Sequence, residues 1–386
     1  MKIVYVYPHF VDRAGTERVL IDKMNYLAIV YGYDVFMLTN EQGNHALSFP
    51  IDHRVNHIDL DVRFSPLYKK NRFIRYFLWK KSNRELKRRY NAFVNRIKPD
   101  IVISTTYHSN WVKIVGECSC KYIRVLESHI DKRYILNHDP INRKSLLRWL
   151  HTLSQMKTLN RESQKFDLLV ALVKEDADDW SKYVRTMIIP NVVNLNLTGR
   201  YSKLEEKKVI FVGRYTEQKG IMDLFEIWKL VYPKHQDWSL ELYGDGHLRD
   251  ELITKANVLQ MNIHVHESVD NIFERYLECS IFVLTSLYEP FGLVMPEAMS
   301  CGLPVVAFDC PLGPAGIISD GETGFLIPDR DKKLFSEKVC NLMDSFSLRH
   351  KMGSSAIISA QRFSADLIMP YWKNVFEKLV NSHAAQ

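Results

Sequence analysis

The sequence of 386 residues predicts an α/β protein made of two doubly wound parallel-sheet domains that face each other across a cleft. Short β-branched apolar runs alternate with amphipathic stretches, which is typical of a parallel sheet wrapped by helices. The pattern restarts near residue 207, after a polar connector that follows Pro190. The length suits two domains of ordinary size, each with its own core. We therefore predict domains at 1–190 and 191–369.

The predicted strands fall into two sets, one in each domain. Ligands of doubly wound sheets bind outside the carboxyl ends of the strands, so residues that follow a strand are the first place to look for chemistry. The first set comprises 3–7, 35–38, 101–104, 122–126, 168–172 and 187–189, and the second comprises 209–212, 240–243, 263–265, 281–284, 305–308 and 325–327.

The composition excludes several classes of protein. A hydrophobic fraction of 46% with 25% charged residues is that of a globular chain, and no window approaches the ~18 uninterrupted apolar residues of a membrane span. The start "MKIVYVYPHF" lacks the apolar core and cleavage site of a signal peptide. The six cysteines show no zinc-type CxxC pair. We predict a cytoplasmic protein with reduced, buried thiols.

Positive charge is concentrated in residues 69–98. Residues 1–190 hold 32 Lys and Arg against 20 Asp and Glu, a net +12, whereas residues 191–386 hold 20 against 25, a net −5. The segment 69–98 has 12 basic residues and one acid, Glu85, interleaved with aromatic residues. It suits either a solvated helix face or a helix on an anionic membrane surface. We favour peripheral attachment to the inner face of the membrane, and we predict no nucleic-acid partner because no recognised binding module is present.

Two strand ends carry residues suited to a phosphorylated ligand. The run "GRYTEQKG" places Arg214 and Lys219 in one loop ahead of a helix. Two cations, a flexible backbone and a helix N-terminus favour a phosphate or diphosphate, although loop cations are often simply solvated. The run "GDGHLRDEL" contains Gly244 and Gly246, which allow a tight turn or a close approach to a ligand.

Two carboxylates follow the predicted strand 281–284, in "TSLYEPFGLVMPEAMSCGLPVVAFD". Glu289 is predicted on the loop and Glu297 in the first turns of a short helix. Carboxylates at these positions can accept hydrogen bonds from hydroxyls, and sugars are rings of hydroxyls. The alternatives are an exposed loop acid for Glu289 and an acid that complements the helix dipole for Glu297.

These segments together resemble the donor-binding domain of the retaining glycosyltransferases of the GT-B fold, the large family numbered four. The resemblance is carried by "FVGRYTEQKG", "LYGDGHL", "SLYEPFGLVMPEAMSCGLPVVAFD" with its E-x7-E spacing, and "DGETGFLI". The N-terminal "PHFVDRAGTERVL" resembles the glycine-rich first loop of the family, with Ala14 in place of the first glycine, and Gly316 stands where many relatives have Glu. The resemblance implies two Rossmann-like domains and a bacterial enzyme of cell-surface polysaccharide or lipopolysaccharide biosynthesis.

The resemblance also implies roles around a nucleotide-sugar donor. Arg214 and Lys219 would neutralise the departing diphosphate, Glu297 would hold the ribose, and Glu289 would contact hydroxyls of the donor sugar. Further donor contacts are expected from Gly15, Gly244 and the amides of Phe291 and Gly292.

The implied reaction is retaining hexosyl transfer through an oxocarbenium-like transition state. His129 would lie near the reacting sugar, and His108 is the second choice for that place. Two fixed cations suit the departing diphosphate, so we predict no metal and no other cofactor. Asp59 and Asp61 form a DxD, the motif of metal-dependent glycosyltransferases, but we interpret them as surface acids.

The acceptor is expected on the basic N-terminal domain, as a lipid-linked or growing cell-surface glycan. The donor is expected to be a uridine diphosphate sugar. In the family the last helix commonly crosses back onto the first domain, which assigns residues 370–386 to it. Two other functions stay open: a nucleotide-sugar epimerase of the same architecture, against which the E-x7-E segment argues, and a catalytically idle subunit, against which the four charged donor contacts argue.

Overall fold

The computed structural model describes residues 1–69, 71–129 and 146–384, and the chain divides into two compact units. Unit 1 comprises Met1–Val192 and Met369–Gln386, and unit 2 comprises Val193–Ile368. Residue 70 of the predicted basic segment and residues 385–386 of the predicted returning segment lie outside the described residues.

The described part of unit 1 contains a sheet of seven parallel strands in the order β3-β2-β1-β4-β5-β6-β7. Six of them are the strands predicted from apolar runs. The remaining strand, β3, was missed because its sequence Asn-His-Ile-Asp contains no apolar run; it pairs only with β2, at the sheet edge. The bounds are β1 Lys2–Val6, β2 Asp34–Thr39, β3 Asn56–Asp59, β4 Ile101–Thr105, β5 Ile123–Glu127, β6 Leu168–Ala171 and β7 Thr186–Ile188.

Helices connect these parallel strands, because two parallel neighbours cannot be joined by a tight turn. Both faces of the sheet are therefore covered, and the whole central strand β4 is buried. The helices are Gly15–Ile29, Arg72–Ile97, Ser109–Gly116, Leu146–Ser163, Lys174–Trp180 and Ala365–Ala384, the last of which begins in unit 2 and continues in unit 1.

Unit 2 contains a sheet of six parallel strands in the order β10-β9-β8-β11-β12-β13, and all six were predicted. Its strands are β8 Lys208–Val212, β9 Ser239–Tyr243, β10 Ile263–His266, β11 Ile281–Leu284, β12 Val305–Phe308 and β13 Gly324–Ile327. Its helices are Ile221–Val231, Arg249–Leu259, Ile272–Leu277, Val294–Ser300, Lys332–Asp344 and Phe346–Ala360. The predicted α/β fold of two Rossmann-like, doubly wound units is confirmed.

The basic helix Arg72–Ile97 changes character along its length. In its second half Tyr90 and Phe93 are buried in the hydrophobic core of unit 1. In its first half the aromatic side chains face solvent, with Phe73 82% and Phe77 69% exposed. Among the helices that the structure describes, none combines the length and apolar character needed to cross a membrane.

The six cysteines are unpaired, and all but Cys120 are buried. Burial raises the pKa of the Cys301 thiol to about 12, which keeps that side chain in its unreactive thiol form. The prediction of reduced, buried thiols is confirmed for five of the six cysteines.

Candidate functional site

The loops that carry the predicted donor contacts meet where the strand order of the unit 2 sheet reverses. In the sheet, β9 and β10 lie on one side of β8, and β12 and β13 lie on the far side of β11. The strands β8 and β11 are therefore direct neighbours at the centre. The carboxyl ends of parallel strands share one edge, and the crevice at this reversal is the usual ligand site of doubly wound sheets. The loop after β8 carries Arg214 and Lys219, and the loop after β11 carries Glu289.

The loop after β8 is anchored by a buried tyrosine. Tyr215 is 0% exposed, its amide donates to the carbonyl of Asp245 at 2.8 Å, and its hydroxyl donates to the carbonyl of Leu242 at 2.8 Å. The side chain of the adjacent Arg214 is exposed, and within the described residues its guanidinium makes no hydrogen bond or ion pair. The anchored loop therefore presents a guanidinium that is available to an anion.

Lys219 is bonded directly to Glu289. The Lys219 Nζ lies 2.5 Å from Oε2 of Glu289, and the two side chains are 12% and 9% exposed. The hydroxyl of Ser286 donates to the same oxygen at 3.1 Å. The alternative explanation of Glu289 as an exposed loop acid is therefore wrong. Because an ammonium has three N–H groups, Lys219 keeps donors for a phosphate while it holds the carboxylate.

Backbone contacts join the same two loops. The Leu287 amide donates to the carbonyl of Gln218 at 2.8 Å, and the Thr285 hydroxyl donates to the carbonyl of Lys219 at 3.1 Å. Gly220 has φ +58°, and a Cβ there would lie 2.0 Å from the carbonyl oxygen of Thr285. A larger residue at Gly220 would separate the loops and break the approach of Lys219 to the carboxylate.

Arg330, which was not predicted from the sequence, anchors the loop after β11. Its guanidinium donates to the carbonyls of Thr285 and Ser286 at 3.1 and 2.6 Å and to Asp223 at 2.8 Å. Asp223 also pairs with Lys332 at 2.5 Å. Burial alone would raise the pKa of Asp223, but the bonds from Lys332 and Arg330 more than offset it and hold the pKa below its usual value. Arg330 could have been suspected from its position in the sequence, because it follows β13 and therefore lies at the same edge of the sheet.

The glycines after β9 are required by packing between loops. A Cβ on Gly244 would lie 2.0 Å from the carbonyl oxygen of Gly213, and one on Gly246 would lie 2.4 Å from that of Tyr215. The close approach predicted for these glycines is thus made to the loop after β8. They keep the Arg214 loop seated on the sheet edge.

The remaining predicted donor contacts lie in and before the helix Val294–Ser300. Glu297 is 5% exposed in this helix. Phe291 is buried edge-on against Phe363, with ring centroids 5.3 Å apart. Gly292 follows with φ +90°. Within the described residues, neither the Phe291 nor the Gly292 amide has a hydrogen-bond acceptor, so both can donate to a ligand.

In unit 1 the strand order reverses between β1 and β4, which brings the loop of Gly15 towards His108. Tyr7, directly after β1, contacts the His108 ring edge-on with centroids 4.6 Å apart. Gly15 is exposed at the first position of its helix, where the helix dipole favours an anion. Ala14 caps this helix with φ −117°, an extended conformation that needs no glycine.

His129 is buried against a charged pair. It is 5% exposed, and its Nε2 lies 3.1 Å from Oε2 of Glu127, which also accepts a hydrogen bond from Nζ of Lys23. The Lys23 ammonium in turn lies 4.3 Å from the ring centroid of Trp372. Burial alone would raise the pKa of Glu127, but Lys23 and His129 more than offset it, so the pKa stays below its usual value.

His129 was predicted from the sequence, whereas Glu127 and Lys23 were not. Glu127 could have been suspected from its position at the carboxyl end of β5, and Lys23 from its position among the apolar residues of the helix Gly15–Ile29. A carboxylate bonded to an imidazole fixes the orientation of the ring.

The DxD of the N-terminal half is engaged within the protein. Asp59, at the end of β3, accepts hydrogen bonds from the Thr39 hydroxyl at 3.0 Å and the Gly43 amide at 2.8 Å. Asp61 pairs with Arg63 at 3.0 Å. The interpretation as a surface acid fits the exposed Asp61, whereas Asp59 is partly buried at the end of a strand that was not predicted.

Comparisons with known proteins agree with this architecture. Residues 200–358 match the family model described as "Glycosyl transferases group 1". An uncharacterized glycosyltransferase of Haemophilus influenzae is 24% identical over 97% of this chain and 99% of its own length. The amylovoran biosynthesis glycosyltransferase AmsD of Erwinia amylovora is 32% identical over 44% of this chain and 48% of its own length. The match to an exopolysaccharide phosphotransferase of Streptomyces coelicolor, 31% identical over 51% of this chain, spans 21% of that protein.

Solved structures of glycosyltransferases share the whole fold. A sucrose-phosphate synthase from Thermosynechococcus elongatus has a TM-score of 0.79 at 17% identity and is covered over 99% of both chains. HepE from Anabaena, solved with UDP and glucose, has a TM-score of 0.72 at 18% identity over 98% of this chain and all of its own. The chain therefore has the GT-B fold, and its second unit is similar to group 1 glycosyltransferases.

Proposed function

We propose that the protein is a retaining hexosyltransferase that moves a sugar from a nucleotide-diphosphate sugar, specifically a uridine diphosphate sugar, to a lipid-linked or growing cell-surface glycan. The observation that carries the proposal is the pair of Lys219 and Glu289 beside the available Arg214, at the reversal of the sheet. Two cations and one carboxylate at one sheet edge suit a diphosphate joined to a ring of hydroxyls. The UDP and glucose in the HepE structure and the amylovoran biosynthesis assigned to AmsD support this donor and acceptor class.

In the proposed reaction the bond between the sugar and the diphosphate breaks, leaving positive charge on the sugar and negative charge on the leaving group. Arg214 and Lys219 stabilise the diphosphate, and Glu289 lies against the sugar and holds Lys219 in place. Glu297 binds the ribose, with further contacts from the amides of Phe291 and Gly292 and from Gly15 and Gly244. No metal is assigned to this step, because the two cations meet the charge of the leaving group.

His129 is proposed to hydrogen bond to the reacting sugar. Glu127 faces Nε2 of His129, so the imidazole is held in one orientation. A fixed donor of this kind can stabilise charge that develops as the glycosidic bond breaks.

The donor is tested by incubating the tag-free protein with a panel of nucleotide sugars and following release of the nucleoside diphosphate and the melting temperature. We expect one uridine diphosphate sugar to raise the melting temperature and to be hydrolysed slowly without an acceptor. Arg214→Gln and Lys219→Gln should weaken both effects, whereas Lys229→Gln, a matched loss of charge on a helix of the same unit, should leave them unchanged. Equal turnover in all three variants would contradict the site.

Retention is tested separately, by determining the anomeric configuration of the transferred sugar by NMR. A product of inverted configuration would exclude the retaining mechanism. Interconversion of the nucleotide sugar without transfer would instead favour the epimerase, and absence of any turnover with an intact donor site would favour the idle subunit.

We further propose that the first half of the basic helix attaches the protein to the inner face of an anionic membrane. Phe73 and Phe77 project into solvent one helical turn apart, and Lys80, Lys81 and Arg84 follow on the exposed surface. Apolar rings beside cations that pair with no carboxylate in the described part of the chain suit the boundary between headgroups and acyl chains. Each basic residue near such a surface contributes ~1 kcal/mol.

The same helix supplies its own control. Lys87 pairs with Glu117 at 3.0 Å, and Arg88 pairs with Glu85 at 2.7 Å, so these cations are engaged within the protein. The triple change Lys80→Gln, Lys81→Gln and Arg84→Gln should abolish sedimentation with vesicles that contain phosphatidylglycerol, and Phe73→Ser with Phe77→Ser should weaken it. Loss of Lys87 and Arg88 should matter much less.

The attachment would be refuted if the wild type did not sediment with these vesicles at low salt. It would also be refuted if replacing Lys87 and Arg88 reduced sedimentation as much as the triple change does. This membrane test is independent of the donor test, because its readout is binding to lipid.

A further inference from the structure

Two histidines and a glutamate converge at the edge of the unit 2 sheet, outside the proposed donor contacts. β9 and β10 run parallel with Glu241 opposite His264 and Tyr243 opposite His266. Because alternate residues of a strand share a face, His264 and His266 project to the same side and meet the carboxylate of Glu241. His264 Nδ1 lies 2.9 Å from one carboxylate oxygen, and His266 Nε2 lies 2.7 Å from the other.

We propose that Glu241, His264 and His266 bind a divalent transition metal ion, with Zn²⁺ as the best-suited ion. Within the residues that the structure describes, they form the one group of three His, Cys, Asp or Glu side chains whose donor atoms all lie within 4.8 Å of one another. Zinc binds imidazole nitrogens at about 2.0–2.1 Å and carboxylate oxygens at about 2.0–2.2 Å, and two His with one Glu is among its established ligand sets. The ion would take the place of the protons in the two histidine–Glu241 hydrogen bonds. Small rotations of the two imidazole rings are therefore enough to bring all three ligand atoms to the ion.

The ligands are supported by neighbouring groups as metal ligands usually are. The Ser239 hydroxyl donates to Oε1 of Glu241 at 2.6 Å. The ring of Tyr243 stacks on that of His266, with centroids 4.4 Å apart and planes inclined by 16°. The hydroxyl of Tyr215 lies 2.6 Å from the His266 carbonyl and shares its one hydrogen between this carbonyl and that of Leu242. Contacts of this kind orient ligands before the ion arrives.

Burial of the three side chains fits an ion that enters from solvent. The Glu241 side chain is 8% exposed, whereas those of His264 and His266 are 50% and 38% exposed. The buried carboxylate supplies the negative charge, and the half-exposed imidazoles leave room for water as a fourth ligand. The ion would cross-link the edge strand β10 to β9, and it takes no part in the proposed sugar transfer.

The chain offers a matched control for binding. His247 Nε2 lies 3.0 Å from Oε1 of Glu217, also in unit 2, with both side chains more than half exposed. This pair has one imidazole and one carboxylate but no second histidine. If any surface His–Glu pair were sufficient for binding, His247→Gln would lower the affinity as much as His264→Gln.

The experiment measures Zn²⁺ binding to tag-free protein, first stripped with a chelator and then titrated in competition with a chromophoric chelator. We expect one Zn²⁺ per chain for the wild type and for His247→Gln. His264→Gln and His266→Gln should each bind at least about tenfold more weakly, since even outer-shell changes at metal sites typically cost 10–100-fold. Co²⁺ in place of Zn²⁺ should give the visible absorption of a four-coordinate ion, and this absorption should be lost in the same two variants.

Unchanged far-ultraviolet circular dichroism in both variants would establish that they fold. A wild type that retains no Zn²⁺, or stoichiometric binding of wild-type affinity in both His264→Gln and His266→Gln, would overturn the proposal. The second result would place the ion elsewhere, for example on a cysteine.

Discussion

The buried pair of Lys23 and Glu127 allows a demanding prediction, the effect of Lys23→Met. The two side chains are 2% and 3% exposed. Methionine preserves most of the length of lysine but removes its charge, so the Glu127 carboxylate is left with His129 as a partner. Removal of one member of a buried ion pair typically costs ~3–5 kcal/mol, because the remaining charge is desolvated and uncompensated. We expect a loss near the lower end of this range, because His129 can still bond to Glu127.

The assay is urea unfolding followed by far-ultraviolet circular dichroism. With a slope of about 2–3 kcal/mol per molar urea, a loss of this size lowers the midpoint of the affected transition by about 1–2 M. The control is the double variant Lys23→Met with Glu127→Gln, in which no buried charge remains. It should be more stable than the single variant, since neutral replacement of a buried pair is often tolerated. A loss below about 1 kcal/mol in Lys23→Met, or a double variant less stable than the single one, would refute the reasoning.

The pH dependence gives a second test of the same pair. In the wild type the folded-state pKa of Glu127 is lowered, so its stabilising contribution is present above the unfolded-state pKa and is lost as the pH falls through the folded-state pKa. Without Lys23 the largest cause that lowers the folded-state pKa is lost, so this pKa rises relative to the wild type and Glu127 contributes less stability at neutral pH. The difference in stability between wild type and Lys23→Met should therefore grow from about pH 5 to pH 8.

Three further predictions concern unit 2. Glu297→Gln should raise KM with little effect on kcat, because the ribose does not change during the reaction. Glu289→Gln should lower kcat by ~10²-fold, because the Glu289 charge faces a sugar that becomes positive. Steady-state kinetics with saturating acceptor distinguish the two variants, and a normal kcat in Glu289→Gln would contradict the role of Glu289 at the sugar. Gly244→Ala should lower the melting temperature and the donor affinity together, since its Cβ would lie 2.0 Å from the carbonyl oxygen of Gly213; an unchanged melting temperature would show that the loop relaxes freely. Asp223→Asn should destabilise at neutral pH, and the deficit in urea unfolding should shrink as the pH falls through the lowered pKa of Asp223; a deficit independent of pH would contradict the ion pairs.

The fold was largely predictable because the buried strands of a parallel sheet are continuous apolar runs, visible one at a time. β3 was not, because an edge strand such as Asn56–Asp59 is only partly buried and carries polar residues. The donor site was predictable to the level of loops, since Arg214, Lys219 and Glu289 each follow a strand. The charged pair beside His129 was not predictable, because Lys23 lies 104 positions from Glu127 in the sequence. Only the packing of a helix on β5 brings the two residues together.

The segment that covers Lys23 has a consequence for biosynthesis. Trp372 lies over the Lys23 ammonium, yet it belongs to Met369–Gln386, which is translated after the whole of unit 2. At about 5–20 residues per second, the ribosome needs about 10–40 s to add unit 2 before this tryptophan is made. Throughout that interval Lys23 of the nascent unit 1 lacks its contact with the Trp372 ring. Unit 2, in contrast, is one continuous segment of the sequence and needs no later residue to fold. Completion of unit 1 therefore waits for the segment that is made last, and chaperone binding during synthesis should concentrate on the first 192 residues.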